Sequence, residues 1–245
     1  MKKISFALCF LLILGLGGCT VSEPEPNDAK INLTFSHSFG DTPIIIFSGR
    51  YLNQAANSEI SIEKIKYFVD EIVMVEANGV EVPINTTGLI DVSENQSSFS
   101  IDAPGGNYKQ IKFVIGIDPT SNHGDPASVS PKTVLHQSVH NDMYWSWNPG
   151  FIFFKVEGRY NKADGTRSTY FYHIGSDEFA RTYTLDKNFV IDGKSLSGNI
   201  NLDIKKFFGT HNFETGEATN TVGDAIIAPK LAENMKDMVS LVYLR

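Results

Sequence analysis

Apolar residues recur at every second position over most of this chain, and helical spacing is rare. Ile31, Leu33, Phe35, His37 and Phe39 alternate with Asn32, Thr34, Ser36 and Ser38, which predicts a half-buried strand. Ile60, Ile62 and Ile65 lead into a long apolar stretch from Tyr67 to Val75, followed by Ala77-Asn78-Gly79-Val80, a hairpin turn in which Asn-Gly can supply positive φ angles. Ile111, Phe113, Ile115 and Ile117 share one face of a further strand, and Phe151 to Val156 is apolar enough to be central. Residues 169–173 and 181–185 are β-branched or aromatic, and Ile200, Leu202 and Ile204 alternate with Asn199, Asn201 and Asp203. Strands at this spacing, divided by Gly, Asn, Asp and Pro, predict an all-β fold, an antiparallel β-sandwich or barrel. Residues 229–236 alone read as a helix, short and C-terminal, with Pro229 in its first turn. The sandwich is the expectation carried forward.

The first twenty residues break this pattern. Met1-Lys2-Lys3 is a positive leader, Ile4 to Leu16 is an uncharged apolar run, and Leu16-Gly17-Gly18-Cys19 looks like a bacterial lipobox. The run is too short to span a bilayer of about 30 Å as a helix, so residues 1–18 are expected to be a lipoprotein signal peptide, with Cys19 as the lipidated residue. Residues 19–29 carry two prolines, several acids and no apolar run, and form an extended tether. A single domain follows over residues 30–245, with neither an internal repeat nor a second linker. Thr20, rather than Asp, follows the cysteine, which points to the outer membrane of a Gram-negative envelope. The expected partner of the anchor is the membrane itself.

Charge and composition narrow the function. The 245 residues are 42% hydrophobic, enough for a sizeable core. Against 28 acidic residues stand 21 basic ones, for a net charge of −7, so bulk charge attracts neither nucleic acid nor anionic lipid. Cleavage before Cys19 removes Lys2 and Lys3 and leaves 19 basic residues, a net charge of −9. It also removes Cys9, the only other cysteine, which excludes a disulfide, a cysteine-ligated zinc or a cysteine nucleophile.

No phosphate loop, nucleophile elbow or His-Glu-x-x-His motif is present, so an enzyme is not expected. The adjacent acids Asp70-Glu71 and Asp177-Glu178 would point to opposite faces of a strand and read as solvated. Any transition-metal site must then draw on the six histidines, His37, His123, His136, His140, His173 and His211, with carboxylate, thioether or water. His37 keeps the parity of Ile31, Leu33 and Phe35, so it faces the core and needs a partner there, whether a backbone carbonyl or a metal. His136 and His140 would share a face if residues 130–140 were helical, although Thr133 and Val134 favour a loop. Asp118 and Asp125 offer oxygen ligands of the kind Ca²⁺ prefers. Both tryptophans fall in Met143-Tyr144-Trp145-Ser146-Trp147, as core ballast or as an aromatic surface for a glycan or a partner protein.

The segment Met143-Tyr144-Trp145-Ser146-Trp147, through Gly150-Phe151 to Lys155-Val156-Glu157-Gly158, resembles the signature of the MbnP-like copper-binding domain family. Four more pieces match it in order: Lys66-Tyr67-Phe68-Val69, Phe113-Val114-Ile115-Gly116-Ile117-Asp118, Asn122-His123-Gly124-Asp125-Pro126 and His173-Ile174-Gly175. The resemblance covers roughly residues 31–206. It implies a β-sandwich that holds one copper ion through two histidines, here His37 and His123, with His140 and His173 in reserve. It further implies copper acquisition or handling at the cell envelope, and a di-haem peroxidase-like partner that oxidises a tryptophan to kynurenine in some members. That tryptophan lies two residues before the first-strand histidine, where this chain has Phe35, which cannot be so converted. The alternative from a different class is a metal-free binding module that uses Tyr144, Trp145 and Trp147.

Overall fold

The computed structural model describes residues 27–54, 57–140, 142–146, 150–221 and 223–245. The expected signal peptide, Cys19 and most of the tether lie outside them, as does Trp147. No helix among the described residues is long and apolar enough to cross a membrane.

Two β-sheets face each other across an aromatic core. The smaller is centred on β1 (Ala29–Phe39), which pairs with β13 (Leu196–Asp203), β2 (Thr42–Pro43) and β7 (Ser98–Ala103), while β15 (Val239–Leu244) lies beyond β13. The larger is centred on β4 (Ser58–Glu76), 19 residues long. One edge of β4 is lined in turn by β3 (Tyr51–Asn53), β6 (Gly88–Asp91) and β5 (Glu81–Ile84). The other edge is lined by β10 (Gly150–Asn161) along residues 60–67 and by β8 (Gly106–Ile115) along residues 69–76. Outside these lie β11 (Arg167–Gly175) on β10, β12 (Arg181–Ile191) on β8, and the short β9 (Tyr144–Ser146) and β14 (Ala218–Thr219). The sandwich matches the expectation, with parallel pairs β1–β13 and β11–β14 set among antiparallel ones. Alternation of apolar residues reports which side chains face inward and carries no information on the direction of the neighbouring strand.

Inward parity is realised as the sequence implied. Phe35 stacks on Phe99 at 5.8 Å and meets Tyr67 and Phe113 edge-on at 6.0 and 6.1 Å, which joins the two sheets. The alternation ending at Ile204 is cut one residue short. Asp203 accepts a hydrogen bond from the Lys205 amide and starts the helix α3 (Ile204–Phe208), and this turns Phe207 and Phe208 into the core beside Phe154 and Tyr170. The expected C-terminal helix is α4 (Ile227–Asn234), two residues earlier at each end, with Ala228, Leu231 and Ala232 buried. In the hairpin from β4 to β5, Gly79 alone takes positive φ, at 97°, while the Asn78 side chain accepts from the Val80 amide at 2.8 Å.

The change of neighbour along β4 positions everything functional. After β8 the chain leaves the sheet, and β10 takes its place beside β4 at the level of Phe68. Residues 176–180, between β11 and β12, do the same in the next row. The longer excursion folds over the outer face of the sheet, so residues 65–70 of β4 are buried on both faces. A second apolar cluster forms there from Phe68, Leu89, Ile117, Leu135, Met143 and Phe151. A one-residue bulge, Glu71 at φ 47°, follows the change of neighbour. It leaves Asp70 buried, accepting from Thr87 Oγ1 at 2.7 Å and the Asp118 amide at 3.1 Å, so this acid is not the solvated group its sequence position suggested.

Close strand packing also makes a prediction. A methyl group on Gly158 would overlap the Ser61 carbonyl oxygen and the Tyr170 hydroxyl that donates to it. Gly158→Ala should lower stability by about 3 kcal/mol in urea titration. Gly165→Ala, at φ 83° in open space, should cost only about 1 kcal/mol of backbone strain.

Candidate metal centre

His37 lies near the end of β1, and its side chain enters the space between the sheets, 8% exposed. Its Nε2 is 2.9 Å from the hydroxyl of Tyr67, which projects inward from β4, and the rings meet at a steep angle. Desolvation lowers the imidazole from its ordinary value to about 4, so it is neutral at physiological pH. Over the His37 backbone, the Ile44 amide donates to the His37 carbonyl. The turn that follows holds Phe47 at φ 65° and braces it with Arg50, whose guanidinium donates to the Phe47, Ser48 and Gly49 carbonyls.

His123 occupies a different layer. It caps the single-turn helix α1 (Pro119–Asn122) in the 116–149 excursion, with its side chain half exposed, and its Nε2 donates to Asp177 Oδ2 at 3.0 Å. Asn122, fully buried next to it, donates to Asp177 Oδ1 at 2.7 Å and accepts from the Phe151 amide at 2.8 Å. One asparagine thus ties the start of β10 to the 176–180 loop, across the gap where both rows of the sheet are interrupted. Asp118 caps α1 through the Thr120 and Ser121 amides. Gly150, at φ 73°, leaves room for Asn122, and a side chain there would collide with it. Gly175 leaves room in the same way for the Trp145 ring.

The structure therefore assigns His37 and His123 separate partners in separate layers. Among the described residues, no three or more His, Cys, Asp and Glu gather into a group that could hold a metal ion. His173, His211 and His136 are also engaged. His173 faces outward, its Nε2 donating to Glu157 Oε1 at 2.8 Å. His211 is buried, with Nε2 on the Gly216 carbonyl at 2.7 Å and near the Tyr172 hydroxyl at 2.8 Å. His136 bonds Ser138 and precedes the single turn α2 (Gln137–His140), so His136 and His140 share no helix face.

The excursion has a second fixing point. Asp142 accepts from Lys64 at 2.9 Å, Lys66 at 3.0 Å and Lys155 at 2.8 Å, and Lys66 also meets Asp91 at 3.2 Å. Partial burial pushes the Asp142 carboxyl up, but hydrogen bonds from Lys155, Lys64 and Lys66 outweigh it and hold the group far below the usual carboxylate range. Tyr144 and Trp145 pack partly buried against the outer apolar cluster, Tyr144 4.8 Å from Phe151, so these two aromatics act as scaffold.

Sequence reasoning missed Tyr67 as the partner of His37, although its parity with Ile65 and Val69 placed it inward. It also missed Asp177 as the partner of Asn122 and His123: the carboxylate is exposed, as its position implied, but bonded to both.

The segments that converge on this gap are those of the family signature, and a sequence model of the MbnP family matches residues 28–224. The chain belongs to the MbnP family. MbnP from Methylosinus trichosporium shares the fold, with a TM-score of 0.64 and 14% identity, over 89% of this chain and all of the other. Among curated proteins, no sequence matches. The MbnP assignment accounts for the order of the motifs along the chain.

Two expectations follow from the geometry. Asn122→Ala removes the buried acceptor of the Phe151 amide and the tie to Asp177, and should lower stability by about 1–3 kcal/mol in urea titration. For His37, the unfolded imidazole protonates near 6.5 and the folded one only near 4. The unfolded chain therefore binds more protons in between, so stability is level above about pH 6.5 and falls as pH drops toward 4. Relative to His37→Gln, wild type should lose about 2–3 kcal/mol between pH 7.5 and 4.5 in chelator-treated buffer.

Proposed function

We propose that this MbnP-family chain is a lipid-anchored protein of the bacterial envelope that acquires or handles copper, with the imidazole of His37 among the ligands; His123, in another layer, is not its partner on one ion. The observation that carries the reading is His37: a neutral imidazole, turned into the sandwich from β1 and braced by a tyrosine. Neutral imidazole with open coordination suits copper. Lipidated Cys19 and the acidic tether would hold the domain at the outer membrane, with β1 starting where the tether ends. The di-haem peroxidase-like partner implied by the resemblance would find no tryptophan at residue 35. Phe35 is fully buried there, stacked on Phe99.

Copper titration of the mature chain carrying Cys19→Ser, which removes the competing thiol, tests the reading. One equivalent should bind with submicromolar affinity, and His37→Ala should weaken it at least 100-fold, whereas His123→Ala should change it less than threefold. Binding unchanged in His37→Ala, or a folded protein that takes up no stoichiometric copper, would overturn the proposal.

A further inference from the structure

We infer that the turn over residues 44–50 is a second membrane contact, with Ile45 and Phe47 seated in the bilayer that anchors Cys19. The inference rests on the lipid-anchor part of the reading above and goes beyond it by fixing which end of the sandwich meets the lipid. Nine large apolar side chains are exposed among the described residues, and three of them, Ile45, Phe47 and Leu52, fall in this turn and the strand after it. Ile45 and Phe47 are each 61% exposed, while Ile44 and Ile46 pack on the core, so the turn is apolar toward both the protein and its surroundings.

The backbone of this turn is closed on itself. Every carbonyl from Ile45 to Gly49 accepts a hydrogen bond from within the protein: Ile45 from the Gly49 amide, Ile46 from the Ser48 amide, and the next three from the Arg50 guanidinium. The Ile45 amide donates to the buried Tyr51 hydroxyl at 2.6 Å, and the Phe47 amide to the Ile62 carbonyl at 2.9 Å. A turn bathed in water has no need of such closure, because water pairs with whatever is left over. A protein partner could also supply donors and acceptors, whereas hydrocarbon supplies none, so this backbone favours lipid as the occupant.

Reach agrees with this. The ten residue steps from Cys19 to Ala29 extend to about 35 Å. Strand β1, eleven residues long, sets its start about 33 Å from the turn. The tether therefore lets the domain tilt until the far end of β1 meets the same bilayer. Because the anchor keeps the turn close by, two apolar side chains, too few to hold a free protein, suffice to orient a tethered one. Arg50 in the turn and Lys205 beside Gly40 bring cations to headgroup level, with Asp41 and Glu59 the acids of the same end.

Coupling the mature chain through Cys19, its only thiol, to a maleimide lipid in vesicles of phosphatidylethanolamine and phosphatidylglycerol tests this. Phe47→Trp serves as the probe, and the parent chain gives the background of Trp145 and Trp147. Probe emission should shift to the blue on coupling, and lipids brominated along their acyl chains should quench it about twofold. Ile45→Asp in the probe chain puts a charge into the contact and should cut that quenching about threefold. Emission unmoved by coupling and equal with and without bromine, or quenching unchanged by Ile45→Asp, overturns the inference. So does a probe that turns blue with protein concentration in free solution and is not quenched by brominated lipid, which assigns the turn to a second copy of the chain. Palmitate incorporation into the full chain tests the anchor separately. A chain that takes up palmitate at Cys19 while its turn stays unquenched loses the inference and keeps the anchor. One that takes up none loses the anchor, and the coupled vesicles still judge the turn.

Discussion

A strand as long as β4 outruns each neighbour that lines it. Where one neighbour stops and the next begins, backbone amides lose their ladder partners at a level that is buried on both faces. An unpaired buried N–H costs about 1–3 kcal/mol, so this gap must be filled by something that both donates and accepts. Asn122 does so. Its carbonyl takes the Phe151 amide and its NH₂ reaches Asp177, so one side chain joins the two interrupted rows. The 116–149 excursion can then lie over the outer face with its apolar residues on Phe68. Asp142, bound by three lysines, fixes its far end. Lys66 and Lys155 are nearly fully buried beneath it, and buried ammonium groups persist only when they are paired.

On the inner face of the same stretch of β4, the energetics run the other way. Burying His37 in neutral form gives up its favourable hydration as a cation, which the fold tolerates because Tyr67 supplies one hydrogen bond and the rest of the ring packs among apolar groups. The seam and the histidine thus sit on adjacent residues of β4, Phe68 facing outward and Tyr67 inward. A shift in strand register would dislodge both together.

Much of this was legible beforehand, and the failures share a cause. Alternation located β1, β4, β8, β10 and β13 and set His37 inward, because one face of each strand is buried and period two reports that directly. It could not show that β13 runs parallel to β1, since strand direction leaves no mark on which face is apolar. It ran one residue too far at Ile204, where a cap, Asp203, overrides the pattern. Asp70 and Asp177 were read as solvated because adjacent acids on a strand point to opposite faces; Asp177 is indeed exposed, but Asp70 is buried. In the structure each accepts hydrogen bonds from residues 17 to 55 positions away in the chain, a relation no local pattern encodes. The pairing of His37 with Tyr67 spans 30 positions and was hidden for the same reason, although both parities were visible.

The pieces of sequence that carry the family resemblance have a physical explanation that involves no metal. Gly116 bonds the Phe68 carbonyl at the end of β8, Asn122 fills the gap, Gly150 makes room for it, and Gly175 makes room for Trp145. His123 shares Asp177 with Asn122, so even that histidine has a structural role. These residues would be required of any chain that interrupts two rows of this sheet at one level, whether or not it carries copper. His37 differs from them. It makes no bond across the gap, it lies in the opposite layer, and a phenylalanine of similar size would fill its place without the cost of desolvating an imidazole. A buried ionisable ring that the architecture does not need, with one nitrogen held by a tyrosine, is where this fold has room for chemistry of its own.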